Sequence, residues 1–548
     1  MRTSKKILAF IAIDIACFLT ILDSTIVNVS LPSMATYFNT STADISWVTT
    51  AYLIAFSSLL INFSKIADIY GRKKLFLIGL FLFGASSALC GLAPTLPLLV
   101  LFRIFQGIGA AILTPLCIPL GIELFGKQAL GKLSVIVGLT ISISAASGPV
   151  IGGLLNEFFN YRAIFYVNLP FVILSFVLAA LYVIECYDES IEKKIDFEGS
   201  ILLFIALGSL TFFLIKGNEF GWTSQRTLLL IGIFLISTIL FLIIELKSKN
   251  PMIEFKLFQV KSYTSSIILI AVFFYAYMPI SYLINFFFEN TLGYSVLKTG
   301  LLMGIPSLTA LLSTPLIPLL SKRLSAKTIS FISISIAAIA NLLLALMNPD
   351  NYMIIICIAF VLMGIGVRIT TILYQTAYEE IETDKNGIAS GIQNSLRQLT
   401  ACIAIALVST LSLHYTDLAL VHTKTEMIRE INDSQVLNSD IKSAVVSAVN
   451  NSTGSISISD AQQEINAFMM QNEENILATL PVEQQDSIKN SFELQVNALN
   501  TIFANTSDVK LAESYKVYNK CFLITGILTL FGLIAVPFNK KKEKISQV

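Results

Sequence analysis

The chain has 548 residues, of which 55% are hydrophobic and only 13% charged, with a mean hydropathy of +0.75 and a formal net charge of +1. A soluble protein carries about 25% charged residues, so this composition excludes a water-facing globular exterior and places the chain among polytopic membrane proteins. Seven cysteines at irregular spacing, nearly all inside apolar segments, read as small packing residues rather than a disulfide framework or metal site. His414 and His422 are too few to complete a metal cluster with them.

From the N-terminus, "MRTSKKILAFIAIDIACFLTILDSTIVNVSLP" is basic and then apolar. Its apolar run passes twenty residues with no small-x-small cleavage site after it, so it is expected to be a retained first span and not a signal peptide. Segments long enough to cross a hydrocarbon core of ~30 Å follow in order. They lie at 7–30, 46–64, 75–93, 96–120, 132–155, 163–184, 199–216, 227–247, 263–286, 297–320, 328–347, 352–374, 390–413 and 517–537. With the N-terminus in the cytoplasm, the inner segments carry 23 Lys and Arg residues, whereas the short outer loops carry only Arg162, Lys216, Arg226 and Lys298. That asymmetry is the positive-inside rule, and a helix missed midway would abolish it. Fourteen helices with both termini in the cytoplasm are therefore expected.

Residues 414–516 interrupt the pattern with a hydrophilic stretch of fourteen acids and six bases, which the helix count places outside. Apolar residues keep helical spacing at Ile465, Phe468, Met469, Ile476, Leu477 and Leu480, and again at Ile488, Phe492, Val496, Leu499 and Phe503, with Pro481 between. This predicts a helical hairpin, preceded by a helix near 424–449 and a flexible joint at 450–459. Gating, partner binding and a plain spacer role all stay open for it. No Gly-rich loop with P-loop spacing is evident, so ATP is not the expected energy source, and neither cofactor, metal nor nucleic acid is expected.

Four stretches in order carry a family resemblance. "SKIADIYGRKKL" (64–75) resembles the loop between helices 2 and 3 of the major facilitator superfamily. "LDSTIVNVSLP" (22–32), "RIFQGIGAA" (103–111) and "SGPVIGG" (147–153) resemble motifs of helices 1, 4 and 5 of its fourteen-helix drug:proton antiporters, and "NYRAIFYVNLP" (160–170) fits the start of helix 6. The likeness is dense over residues 20–170 and thinner afterwards. It implies an all-α membrane protein of two six-helix bundles, 1–184 and 263–413 with 517–548. Two helices are inserted at 185–262, and the extracellular helical domain is 414–516. The halves are expected to rock about a central cavity to give alternating access.

The same resemblance assigns roles. Asp68, Gly71, Arg72 and Lys73 are expected to form an inner gate, with Asp68 capping a helix end of the opposite bundle. Ser64 stands where the motif usually has its first Gly, and "LSKRLSAKT" (320–328) in the second half has no Asp, so any such latch is asymmetric. Gly148, Pro149, Gly152 and Gly153 take the place of the helix-5 antiporter motif. Their spacing alone permits close helix approach and a bend.

Read from the residues, Asp23 lies seventeen positions after Lys6, about 25 Å into the membrane. A submerged carboxylate is a functional candidate by default. Arg103 falls at similar depth, and the pair is expected to couple charge, protonation of Asp23 releasing Arg103. Asp14 is about 180° around the helix from Asp23, so it reads as structural. Asn28 and Gln106 are candidate cavity residues, together with Arg368 and Arg397. Spans nine to thirteen as bounded above hold no Asp or Glu. The two arginines therefore await either neutralisation by Glu379, Glu380, Glu382 and Asp384, or an anionic or phosphate-bearing substrate.

The expected activity is export of amphipathic toxic compounds driven by the proton gradient, in a bacterial cytoplasmic membrane, by a monomer in contact with lipid. One alternative is export of an endogenous anionic lipid or nucleotide-like molecule. Another is a non-transporting receptor or assembly factor acting through an extracellular partner at 414–516.

Overall fold

The computed structural model describes residues 3–187, 196–248, 251, 253, 255–378, 381, 386–451, 470 and 482–539. They are helical, with no strand among the described residues. Among the described residues thirteen helices are long and apolar enough to cross a membrane, and a shorter apolar stretch, Val296–Leu312, stands at the tenth expected span.

In chain order the helices are α1 Thr3–Tyr37, α2 Trp47–Tyr70 and α3 Arg72–Leu92. Next, α4 Leu96–Leu113 passes through a tight turn at Thr114–Leu116 into Cys117–Phe125, and α5 is Leu130–Phe158. They are followed by α6 Asn168–Tyr182, α7 Phe197–Phe220, α8 Gln225–Lys247 and α9 Lys261–Phe286. The tenth, α10, is broken into Val296–Met303, Ile305–Leu312 and Leu316–Arg323, with Gly304, Pro306 and Pro315 at the interruptions. The rest are α11 Ala326–Leu344, α12 Tyr352–Tyr378, α13 Asn386–Asp433, α14 Ser439–Asn451 and α15 Val482–Leu530, which ends in the 3-10 stretch Phe531–Phe538. Side-chain caps start several of them: Asp196 accepts from Gly199 N at 2.8 Å and Ser295 from Lys298 N at 3.3 Å. Such caps contribute about 1 kcal/mol each.

Most of the described residues form one compact unit, covering 1–347, 351–411 and 521–548. Within it, α1 packs on α5 and α6, α2 on α4, and α3 on α4 and α6. A second group packs α12 against α9, α10 and α11, with Phe531–Phe538 closing on α9 and α11. The inserted pair α7 and α8 pack on each other, and α7 also lies on α2. Asn62 of α2 donates to the Asp196 carbonyl and to Ser200 Oγ at 2.6 Å, and Thr410 of α13 donates to Leu214 O at 2.6 Å. The two groups meet where α5 lies on α10 and α1 on α9.

The second unit, 348–350 and 412–520, has its own apolar core of Met427, Ile431, Leu437, Ile441, Val445, Val449, Phe492, Leu499, Ile502 and Phe503. Here two expectations are corrected. The predicted helix over 424–449 is two helices, because Asn438 accepts from Ile441 N at 2.8 Å and caps a new start. The thirteenth and last spans are far longer than 390–413 and 517–537, since neither Gly nor Pro interrupts 392–433 or 482–525. The first arm of the predicted hairpin, Ile465 to Leu480 with Pro481, lies outside the described residues apart from Met470, as does most of the 450–459 joint.

Candidate functional site

Asp23 and Arg103 meet in the interior of the first helix group. Arg103 Nη1 lies 2.5 Å from Asp23 Oδ2, and both side chains are 0% exposed. Asp23 Oδ1 accepts from Gln106 Nε2 at 2.8 Å and Asn168 Nδ2 at 3.0 Å. Arg103 donates from Nε to Val48 O at 2.9 Å and from Nη1 to Gln106 Oε1 at 2.7 Å, and its guanidinium lies 4.3 Å from the Tyr52 ring centroid. Asn168 also donates to Ser87 Oγ at 3.1 Å. Five helices, α1, α2, α3, α4 and α6, thus supply one network with a single negative and a single positive charge. A buried ion pair needs such extra hydrogen bonds to offset desolvation. Two atoms still lack a partner among the described residues, Arg103 Nη2 and Asn168 Oδ1.

The pair faces inward to its own helix group, with the carboxylate paired as expected and both side chains buried. Gln106, a cavity candidate from the sequence, is corrected. Three residues after Arg103 on α4, it shares that buried face and is fully buried in the network. Asn168 and Tyr52 were missed as site residues, although Asn168 stands inside the quoted "NYRAIFYVNLP" stretch. Asp14, on the opposite face of α1, is half-buried and accepts from Thr140 Oγ1 of α5 at 2.7 Å.

Between the two helix groups, backbone geometry makes the contacts. Asn28 is half-buried, and its Oδ1 accepts from Thr49 Oγ1 at 3.2 Å. Its carbonyl accepts from Asn285 Nδ2 of α9 at 2.9 Å. That carbonyl is the one Pro32, four residues on, leaves without a helical donor. The same device recurs in α5: Pro149 frees Ala145 O, which accepts from Ser307 Oγ of α10 at 3.1 Å. Gly148 and Gly152 lie against α1, where a Cβ would press on Thr25 and Ile26. Gly153 instead lies on α10, where a Cβ would meet Val296 O at 2.9 Å and Leu297 Cα at 3.1 Å. The helix-5 motif is therefore a two-sided close-packing surface.

At the opposite ends of α2 and α3, Asp68 accepts from Arg72 Nε at 2.7 Å, and Arg72 Nη1 lies 3.4 Å from Glu123. These two partners belong to the same helix group as Asp68. A further carboxylate, Glu185, caps a helix in that group. It accepts from the backbone N–H of Lys73 at 2.9 Å and of Lys74 at 3.1 Å, on the first turn of α3. Lys73 Nζ donates to Ala180 O at 2.8 Å. Gly71 makes the turn at φ 114°, and a Cβ there would meet the Glu185 carboxylate at 2.8 Å. Nothing in the sequence pattern singled out Glu185, which stands 112 positions from Lys73.

Arg368 is half-buried and donates from Nε to Ala310 O at 2.8 Å, beside the break in α10. Arg397 is half-buried on α13, 5.1 Å from the Phe274 ring centroid of α9. No carboxylate among the described residues pairs with Arg397. Glu379, Glu380, Glu382 and Asp384 lie outside the described residues.

Residues 13–405 match the family model described as Major Facilitator Superfamily. The chain is 30% identical over 408 residues to the multidrug resistance protein Stp of Mycobacterium tuberculosis, covering 74% of this chain and 75% of that one. It is 29% identical to the riboflavin transporter RibZ of Clostridioides difficile, over 77% of this chain and 92% of that one. With the probable multidrug resistance protein EmrY of Escherichia coli the identity is 26%, over 83% and 91%. Among solved structures, a POT family transporter in complex with 5-aminolevulinic acid superposes with a TM-score of 0.57 at 17% identity, over 74% of this chain and 90% of that one. A bacterial homologue of the lysosomal transporter Spinster gives 0.52 at 14%, over 96% and 99%. These two likenesses concern the fold alone.

Proposed function

The chain belongs to the Major Facilitator Superfamily, and from that premise we propose that it exports amphipathic toxic compounds across a bacterial cell membrane in exchange for protons. It is a multi-pass membrane transporter and not an enzyme, with relatives named for multidrug resistance. Helices α1–α6 and α9–α13 with the end of α15 act as two halves that alternate access, the Asn28–Asn285 end facing outside.

The observation that carries this reading is the sealed Asp23–Arg103 pair. An ionised Asp23 holds the guanidinium in a dry, neutral network. Protonation removes the negative partner and leaves a buried cation, which costs several kcal/mol. The network then favours a rearrangement that brings Arg103 to water or to a new acceptor, and return to the sealed state expels the proton. Acid outside loads the site, so an inward proton gradient drives export.

The test is substrate efflux from proteoliposomes with an imposed pH gradient. The Asp23→Asn variant is expected to fold and bind dye but to lose gradient-driven transport. Normal gradient-driven transport by that variant defeats the assignment of Asp23.

A second reading, export of an anionic endogenous molecule, is favoured by Arg397 lying on Phe274 with no carboxylate partner among the described residues.

A further inference from the structure

The apolar run of the ninth span stops at Phe286, but the helix does not. A π-helical turn, Phe287–Thr291, carries it on and places Glu289 on α9, so the expectation of no acid on spans nine to thirteen is corrected. Single π turns inside helices are frequent at functional positions. Glu289 is partly buried where α9 meets α1. Its Oε2 accepts from Ser33 Oγ of α1 at a long 3.4 Å, and Asn156 of α5 donates to the same Ser33 oxygen at 2.9 Å. Its Oε1 is buried with no hydrogen-bond partner among the described residues. Ser30 Oγ, Asn285 Oδ1 and Thr299 Oγ1, on α1, α9 and α10, are buried and unpartnered as well.

The charged and titratable groups around this seam do not neutralise Glu289. From α5 comes Glu157, a second carboxylate, which accepts from Leu297 N at 3.3 Å. From α10 comes Lys298, whose Nζ sits 3.2 Å from the Tyr294 ring centroid; Tyr294 in turn bonds Tyr352 of α12 at 2.9 Å. At the end of α1, Tyr37 is held by Arg162, whose guanidinium is also taken by the Gly91 and Ala93 carbonyls.

A carboxylate without a cation, with one buried oxygen lacking any donor, is stable in this arrangement only when neutral. The geometry points to Glu289 as a second proton-binding site, in the half opposite Asp23, whose protonation holds the α1–α9 seam shut. With the seam closed, the proton removes the cost of a dry anion beside Glu157. With the seam open, water solvates the carboxylate and the proton leaves. Loss of the proton therefore opens the seam, and acid on that side closes it. This inference rests on the alternating-access reading but not on Asp23 as the carrier.

The test is hydrogen–deuterium exchange of the full chain in lipid nanodiscs, following peptides that cover residues 28–37 and 284–292. After correction for intrinsic rates, exchange is expected to be about tenfold slower at a pH near 5.5 than at a pH near 8.5. Glu289→Gln, a permanent mimic of the neutral acid, is expected to stay protected at both. Glu157→Gln, at an exposed position, is expected to move the midpoint to lower pH by removing the like charge. Asp23→Asn is expected to keep the response. The inference is overturned by a pH-independent seam in the native chain, by an unchanged response in Glu289→Gln, or by an unmoved midpoint in Glu157→Gln. If Asp23→Asn abolishes the response, the protonation belongs to Asp23: this inference then falls and the proposed function stands. Failure of the proposed function instead shows as gradient-independent transport, whatever the seam does.

Discussion

Ser307 donates across the two halves to the carbonyl of Ala145, the acceptor that Pro149 leaves without its own helical partner. The proline thus makes the hydrogen bond between α5 and α10 available. Pro149→Ala restores the N–H, which competes with Ser307 for one oxygen. A net hydrogen bond is worth about 0.5–1.5 kcal/mol, so the closed seam is expected to lose roughly two- to tenfold in population. Exchange of amides at 296–312 reads this directly. In a double-mutant cycle, Ser307→Ala is expected to add little to Pro149→Ala; strictly additive effects would show that the two residues do not act on the same carbonyl.

The sealed ion pair makes a separate prediction about stability. Asp23→Asn leaves Arg103 buried without its counter-charge, an expected loss of about 3–5 kcal/mol. Adding Arg103→Gln removes the stranded cation, so the double variant is expected to melt at a higher temperature than Asp23→Asn alone while remaining transport-dead. Thermal unfolding in detergent checks the first statement and proteoliposome efflux the second. Asn168→Leu leaves Asp23 Oδ1 one donor short and is expected to cost about 1–3 kcal/mol.

The Asp23–Arg103 pairing was legible in the sequence because both are charged residues inside apolar runs, at a depth that counting fixes. Its sealing was not, because which face of α1 turns inward depends on α4 and α6. Glu289 was hidden by a boundary drawn where hydropathy falls, although the chain stays helical through Phe287–Thr291. The same reason shortened the thirteenth and last spans: hydropathy marks the edge of the membrane and not the end of a helix. Glu185 carried no local signal, since its partners are backbone groups on the far side of four helices.

Gly71 answers two demands that can be separated. Its φ of 114° strains any residue with a Cβ, and the Glu185 carboxylate fills the space a Cβ would take. Glu185→Ala alone removes the cap on α3 and is expected to cost about 0.5–2 kcal/mol. Gly71→Ala is expected to cost more, and Gly71→Ala with Glu185→Ala to recover only the steric part, leaving about 1–3 kcal/mol of backbone strain. Full recovery in the double variant, read by thermal unfolding, would falsify the role given to φ.

Arg397 decides between the two substrate readings. Its guanidinium lies on the Phe274 ring in the membrane interior, an arrangement that suits an anionic or aromatic ligand better than a cation. A charged hydrogen bond to such a ligand is worth about 1.5–3 kcal/mol, so Arg397→Gln is expected to weaken anionic amphiphiles by roughly tenfold or more. Cationic dyes, freed from a like charge, are expected to be exported as well as before or better. The comparison is made in one set of proteoliposomes under one pH gradient, so coupling is held constant while the charge of the cargo changes. If both classes fall equally, Arg397 serves the packing of α13 on α9 and not selectivity. If only cationic export falls, the anionic reading fails outright, because export of anionic amphiphiles then does not depend on Arg397.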